Sequence, residues 1–283
     1  MSSSVVASDG TRLRAWRTGG PGPTVVISNG LGAPAEAWPG LVRAGSGFDV
    51  LGWDHRGLGG SARPADPDRI RVRDHADDLL AVMDAEGVER ALLVGWSIGV
   101  GVAFELALSH PDRVAGILAV AGVPGGTFSA LLGPTLLPRR LRAGTGRLLT
   151  RGLAHIGPVV RGAARVLTPA ESEQVDGIGR SMYVRASAHA LRAFAAHDWR
   201  WYAKLIHAAA EHEVLDLSNL TCPTTFLGGR FDLITDSEDV RRAAETVPGA
   251  RYRELTGSHY LPLEFPAAVQ QELVQLSRRA GYG

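Results

Sequence analysis

The segment that most restricts how this chain can fold is Ala91-Leu92-Leu93-Val94, which runs into Gly95-Trp96-Ser97-Ile98-Gly99 and on into Val100 to Ser109. Four successive apolar residues read as a short strand buried on both faces, and Val100 to Leu108 repeats bulky apolar residues at helical spacing. A buried strand that turns within five residues into a buried helix is the opening of a β-α unit in a parallel sheet. The corner between them carries a serine. A residue there is held in a strained backbone conformation, and neighbours two positions away collide unless they lack side chains. Gly95 and Gly99 supply that room. Glycine-rich corners also serve packing alone, so the partners of Ser97 decide its role.

The alternation continues along the chain. Thr24 to Ser28, Asp49 to Trp53, Val114 to Ala121, Thr224 to Leu227 and Arg251 to Leu255 are further strand candidates, and Arg73 to Glu86, Ser237 to Val247 and Ala267 to Arg279 are helix candidates. Strand, helix, strand in succession predicts an α/β fold with a mostly parallel sheet and helices on both faces. Val5 to Ala7 and Leu13 to Arg17, around Asp9-Gly10, predict a hairpin at the sheet edge. From about Pro124 to Ser218 no clear strand occurs, and helical patterns are broken by Gly133-Pro134, Gly157-Pro158 and Thr168-Pro169. An insertion of that length predicts a helical cap over 124–218, packed on a core made of 1–123 and 219–283.

A serine hydroxyl needs a base within hydrogen-bond reach and an acid to orient that base. In a parallel sheet such groups collect at the carboxyl ends of strands. Asp232 stands just beyond Thr224 to Leu227, in Gly228-Gly229-Arg230-Phe231-Asp232, and His259 stands just beyond Arg251 to Leu255, in Thr256-Gly257-Ser258-His259. Asp236 and Asp239 follow closely, but an acidic helix start such as Ser237-Glu238-Asp239 favours the helix dipole without further duty. Glu264 lies on the far side of His259 and is left to pair with a neighbour.

With the order Ser97, Asp232, His259 in place, the chain resembles the α/β-hydrolases over about residues 5 to 123 and 219 to 280. Asp54-His55-Arg56-Gly57-Leu58-Gly59-Gly60-Ser61 is similar to the Asp-x-Arg-Gly-x-Gly-x-Ser turn of that family, and Gly257 to Pro266 resembles the segment around its catalytic histidine. Many relatives carry His-Gly after the third strand, where this chain has Ser28-Asn29-Gly30-Leu31-Gly32 with Trp38 shortly after. That variant looks most like the 3-oxoadipate enol-lactonase branch, with small esterases and cofactor-free haloperoxidases as neighbours. The resemblance implies an eight-stranded sheet with the cap inserted after the sixth strand. It further implies Ser97 as nucleophile, His259 as base, Asp232 as its orienting acid, and the backbone N–H groups of Leu31 and Ile98 as an oxyanion hole.

The expected activity is therefore hydrolysis of a small apolar ester or lactone through an acyl-enzyme on Ser97, with no cofactor or metal. The same three residues could serve C–C bond hydrolysis, perhydrolysis or acyl transfer, and a ligand receptor could keep such a pocket without turnover. A carboxylate nucleophile, as in the dehalogenase and epoxide-hydrolase relatives, is disfavoured by serine at 97. Trp96 and Tyr260 flank Ser97 and His259 and are candidate pocket residues; Trp199, Trp201 and Tyr202 either line the pocket or hold the cap to the sheet.

Composition excludes some partners. A net charge of +1 gives no electrostatic case for nucleic acid or an anionic membrane, although Lys204 is the only lysine and arginine carries nearly all the positive charge. The N-terminus lacks a signal core and Val114 to Val123 is too short to span a bilayer, so a soluble cytoplasmic protein is expected. Cys222, the one cysteine, is expected as a small buried filler. His75-Ala76-Asp77-Asp78 lacks zinc-site spacing. Gly30-Leu31-Gly32-Ala33-Pro34-Ala35 fits a dinucleotide fingerprint in letters, with Asp54 after the next strand, but Pro34 and Pro39-Gly40 disturb the helix that a pyrophosphate site needs.

Overall fold

The computed structural model describes residues 1–126, 152, 155 and 192–282. Eight strands, β1 (Ser2–Val6), β2 (Arg12–Arg17), β3 (Thr24–Ser28), β4 (Asp49–Trp53), β5 (Ala91–Trp96), β6 (Val114–Val120), β7 (Thr224–Gly229) and β8 (Arg251–Leu255), form one sheet in the order β1-β2-β4-β3-β5-β6-β7-β8. β2 pairs antiparallel with both β1 and β4, and every pairing from β4 through β8 is parallel. The helices are α1 (Val72–Ala85), α2 (Ile98–Ser109), α3 (Trp199–Ala210), α4 (Ser237–Glu245), α5 (Leu261–Glu264) and α6 (Pro266–Arg279).

Period-2 alternation divides the strand residues between two cores. Val26, Leu51, Leu93, Ile117 and Phe226 pack with α1, α2 and α4 on one face, where Phe104 stacks on Phe226 at 5.6 Å. Val25, Ile27, Val50, Leu92, Val94 and Leu118 pack with α6 and Trp38 on the other. Both faces are covered, which is why the central strands read as unbroken apolar runs. α1 buries Val72, Ala76, Leu79 and Met83 as one stripe and stops at Gly87, whose φ of 66° suits the left-handed end of a helix.

Several bounds differ from the sequence expectation. β5 and β7 each run two residues further, to Trp96 and Gly229, because parallel pairing with β6 and β8 continues past the apolar run. β6 stops at Val120, since Ala121 turns to φ 46°. The hairpin's first strand is Ser2–Val6 rather than Val5 to Ala7: the serines pair with β2 at the exposed edge, and Ala7 belongs to the turn, donating to Thr11 O. α2 begins at Ile98, two residues before its apolar repeat. Cys222 is half-buried rather than buried, just before β7 and packed against the core that holds Ile117 and Phe226.

The turn after β4 is pinned from below. Arg56 is fully buried and grips Asp78 of α1 with two bonds of 2.6 Å, while Asp9 takes a third. His55 and His75, expected on a turn and a helix face, are buried edge-to-face, 5.0 Å apart, because α1 packs directly against that turn. Of the expected cap at 124–218, residues 127–151, 153, 154 and 156–191 lie outside the described residues; the segment from 192, with α3, is described.

Candidate active site

β3 and β5 are neighbours although β4 lies between them in the chain, so the sheet order reverses at this pair. The crevice outside the carboxyl ends of two such strands is where open α/β sheets bind ligands. Ser97 follows β5 there, with φ 56° and ψ −121°. Such a conformation at a residue bearing a side chain costs on the order of 1–3 kcal/mol and persists when the surroundings over-determine it. The surroundings are backbone. A Cβ at Gly95 would meet Gly99 O at 2.7 Å, and one at Gly99 would meet Ser28 O at 1.9 Å. The Ser97 N–H is tied to Val120 O at 2.9 Å and the residue is half-buried.

Asp232 and His259 come together from the turns after β7 and β8. His259 Nδ1 lies 2.8 Å from Asp232 Oδ2, and both residues are buried. The other carboxylate oxygen accepts from the N–H groups of Ile234 and Thr235, each at 2.8 Å, so the carboxylate cannot swing away. A carboxylate only accepts, hence Nδ1 carries a proton, and Nε2 is the ring nitrogen left to act as a general base. Asp236 instead caps α4 through the Glu238 N–H. Glu264 receives the N–H and hydroxyl of Ser258 at 2.7 and 2.6 Å, shaping the histidine loop.

Trp96 joins the serine corner to that loop. Its indole N–H donates to His259 O at 2.9 Å, and its ring lies 6.0 Å from those of Trp38, His259 and Tyr260. It is buried, a tie between loops more than a wall of a cavity. Tyr260 stays substantially exposed beside His259, and Phe231 and Leu233 on the Asp232 turn are exposed apolar residues.

Leu31 lies in a tight turn closed by Ala33 N–H to Gly30 O at 2.9 Å, with Gly32 at φ 72°. Among the described residues neither the Leu31 N–H nor the Ile98 N–H donates to a protein group. Asn29 holds this turn from below, a role its letter does not announce. Its amide donates to Ala33 O at 2.6 Å, and its oxygen accepts from Gly30 N and from the Trp38 indole at 2.9 Å. The chain then makes a short 3-10 turn at Ala35–Ala37 and no helix starts at Gly32, so the dinucleotide pattern lacks its helix N-terminus.

Trp199, Trp201 and Tyr202 are all buried. Trp201 donates to Arg56 O at 2.9 Å, Arg63 lies over its ring, and Tyr202 donates to Leu31 O at 3.2 Å. These contacts fasten α3 to the core and gather Leu31, Leu58, Ile70, Leu205 and Ile98 into an apolar cluster. Burial pushes the Tyr202 phenol above its ordinary range and holds His197 below the usual histidine value. Among the described residues, no three His, Cys, Asp or Glu side chains are arranged to hold a metal ion, and no helix is long and apolar enough to cross a membrane.

Residues 23–143 match the sequence profile of a family described as alpha/beta hydrolase fold. Over 238 residues the chain is 30% identical to a putative carbamate hydrolase, RutD, of Caulobacter sp. (strain K31), covering 82% of each protein. It is 27% identical to epoxide hydrolase A of Mycobacterium tuberculosis, over 96% of this chain and 95% of that relative. Among solved structures it superposes on the enol-lactonase of Burkholderia xenovorans LB400 with a TM-score of 0.75 at 24% identity, covering 98% of this chain and 100% of that one. An esterase from Exiguobacterium antarcticum gives a TM-score of 0.77 at 18% identity, with the same coverage.

Proposed function

The chain belongs to the α/β-hydrolase family, and on that footing we propose that it is a serine hydrolase cleaving a small apolar ester or lactone. The observation that carries this reading is the buried Asp232–His259 bond of 2.8 Å, tied through Trp96 to the strained corner that presents Ser97. His259 Nε2 takes the proton of Ser97 Oγ as the oxygen attacks the carbonyl carbon, and Asp232 stabilises the imidazolium that forms. The carbonyl oxygen, now an oxyanion, receives the N–H groups of Leu31 and Ile98; in related chemistry one such donor is worth about 2.7–4 kcal/mol. The imidazolium gives its proton to the leaving alkoxide as the C–O bond breaks. Water then loses a proton to His259, attacks the acyl-enzyme, and Ser97 leaves with that proton restored.

The apolar cluster of Leu31, Leu58, Ile98 and Leu205, and the exposed Tyr260, Phe231 and Leu233, support an apolar acyl or alcohol group. Serine at 97 favours an acyl intermediate over the alkyl ester that a carboxylate nucleophile would form. The 30% identical relative is named a putative carbamate hydrolase, and a carbamate carbonyl suits the same attack, so carbamates belong in the substrate panel. Ser97→Ala is expected to abolish turnover of a short p-nitrophenyl ester with the fold intact, and a fluorophosphonate is expected to label Ser97. Wild-type turnover in the variant, or no adduct on Ser97, would refute the assignment.

A further inference from the structure

The carbonyls of Leu31 and Gly32 are each held by a side chain that the core does not supply. Tyr202 of α3 donates its hydroxyl to Leu31 O at 3.2 Å, and His197, just before α3, donates from Nε2 to Gly32 O at 2.9 Å. A carbonyl only accepts, so the His197 proton sits on Nε2. The two rings stack with planes 8° apart and centroids 5.8 Å apart, and Phe194 closes edge-on against both. At Gly32 a Cβ would lie 2.3 Å from His197 Nε2, so the approach of this histidine requires glycine there. Asn29 holds the same turn through Ala33 O and the Gly30 N–H.

The peptide joining Leu31 to Gly32 is the central one of the Gly30–Ala33 turn. Turns of this kind interconvert by rotating that central peptide, and a glycine at the third position accepts either sign of φ at little cost. Rotation changes ψ of Leu31 and φ of Gly32, and whatever part of it these two angles do not compensate shifts the preceding peptide, which carries the Leu31 N–H. The Tyr202 bond is made to the carbonyl that such a rotation would carry away.

We propose that His197 and Tyr202 are positioning residues that lock the Gly30–Ala33 turn and so aim the Leu31 N–H at the oxyanion, which makes the segment leading into α3 a working part of the oxyanion hole. This rests on the reading of Leu31 N–H as an oxyanion donor. A packing role alone would alter stability or access. A positioning role acts on the transition state.

The test uses Tyr202→Phe, His197→Ala and His197→Gln, with rates normalised to the fraction of sites a fluorophosphonate titrates. Loss of an oxyanion donor lowers kcat by about 10²–10³ and a misplacement of about 1 Å can cost about 10². Removing one of several restraints is therefore expected to lower kcat about tenfold with KM changed less than about twofold. Affinity for a trifluoromethyl ketone, whose adduct with Ser97 carries the oxyanion, is expected to fall by the same factor, while affinity for the uncleaved amide of the same acyl group stays constant. His197→Gln, whose amide N–H reaches the place of Nε2, is expected to recover most of the loss seen in His197→Ala. The proposal is overturned if kcat stays within about twofold in both Tyr202→Phe and His197→Ala, if ketone and amide binding weaken equally, or if His197→Gln is as poor as His197→Ala. Should Tyr202→Phe fail to fold, the His197 pair decides. A wild-type protein with no ester turnover and no adduct on Ser97 would instead remove the underlying reading, and this inference with it.

Discussion

Two alanine substitutions, two residues apart on one helix, should have opposite effects. At Gly99 the new methyl would lie 1.9 Å from Ser28 O, 2.6 Å from Ser28 C and 2.7 Å from Asn29 O, all of them backbone. Real Cβ atoms essentially never approach within 3.0 Å, so the start of α2 and the end of β3 must separate by roughly 1 Å, and neither can give by changing a rotamer. Overpacking of this kind costs about 1–3 kcal/mol, and the displacement falls between Ser97 and the turn that carries Leu31. A shift on that scale is enough for about a 100-fold loss in kcat/KM. At Gly101 the methyl would meet Val72 Cγ1 at 3.5 Å and His212 Cδ2 at 3.7 Å, which is ordinary contact. Gly101→Ala should therefore gain about 0.4–1 kcal/mol from reduced unfolded-state entropy, raising Tm by about 2 °C with activity kept. Thermal unfolding and ester kinetics on both variants check the pair. Wild-type Tm and kcat/KM in Gly99→Ala, or a larger loss in Gly101→Ala than in Gly99→Ala, would refute the reasoning.

Three further outcomes are expected. Asp232→Asn keeps an oxygen for the Ile234 and Thr235 N–H groups, so Tm should hold while kcat falls about 10³–10⁴-fold through loss of the Nδ1–H tautomer. Arg56→Met leaves Asp78 buried without its partner and should cost about 3–5 kcal/mol in urea unfolding, most of it recovered when Asp78→Leu is added. Burial lowers His55 from 6.5 to about 4, so between those values the unfolded chain binds a proton that the folded one refuses, and stability falls as pH drops through that window. His55→Phe should flatten the decline by at most about 3 kcal/mol, read from urea unfolding at pH 7 and pH 4.5; an unchanged slope would sink the assignment.

Much of the candidate site is legible in the residues alone. Asp232 and His259 stand one turn beyond strands, and in a parallel sheet the carboxyl ends of β5, β7 and β8 share one edge. Gly95 and Gly99 were readable for the same reason, since the collision they avoid is with backbone close by. Other roles were not legible. Trp96 reads as a pocket aromatic and Tyr202 as either a pocket aromatic or a fastener of the cap; each spends its polar atom on a carbonyl far along the chain, 163 and 171 residues away, and neither partner can be read from the sequence. His55 and His75 gave no sign of facing one another, because α1 and the turn after β4 are brought together only when the sheet closes over them.

The residues alone determined the strand and helix periods, the serine corner, the order Ser97, Asp232, His259 and the edge hairpin. All of these follow from short-range sterics and from which faces must leave water. Tertiary structure decided the strand order, the buried Arg56–Asp78 pair, and which donors hold the turn at Leu31. A carbonyl oxygen accepts equally well from any tyrosine, histidine, asparagine or tryptophan. Which of them reaches it depends on packing summed over the whole molecule, and no local pattern encodes that sum.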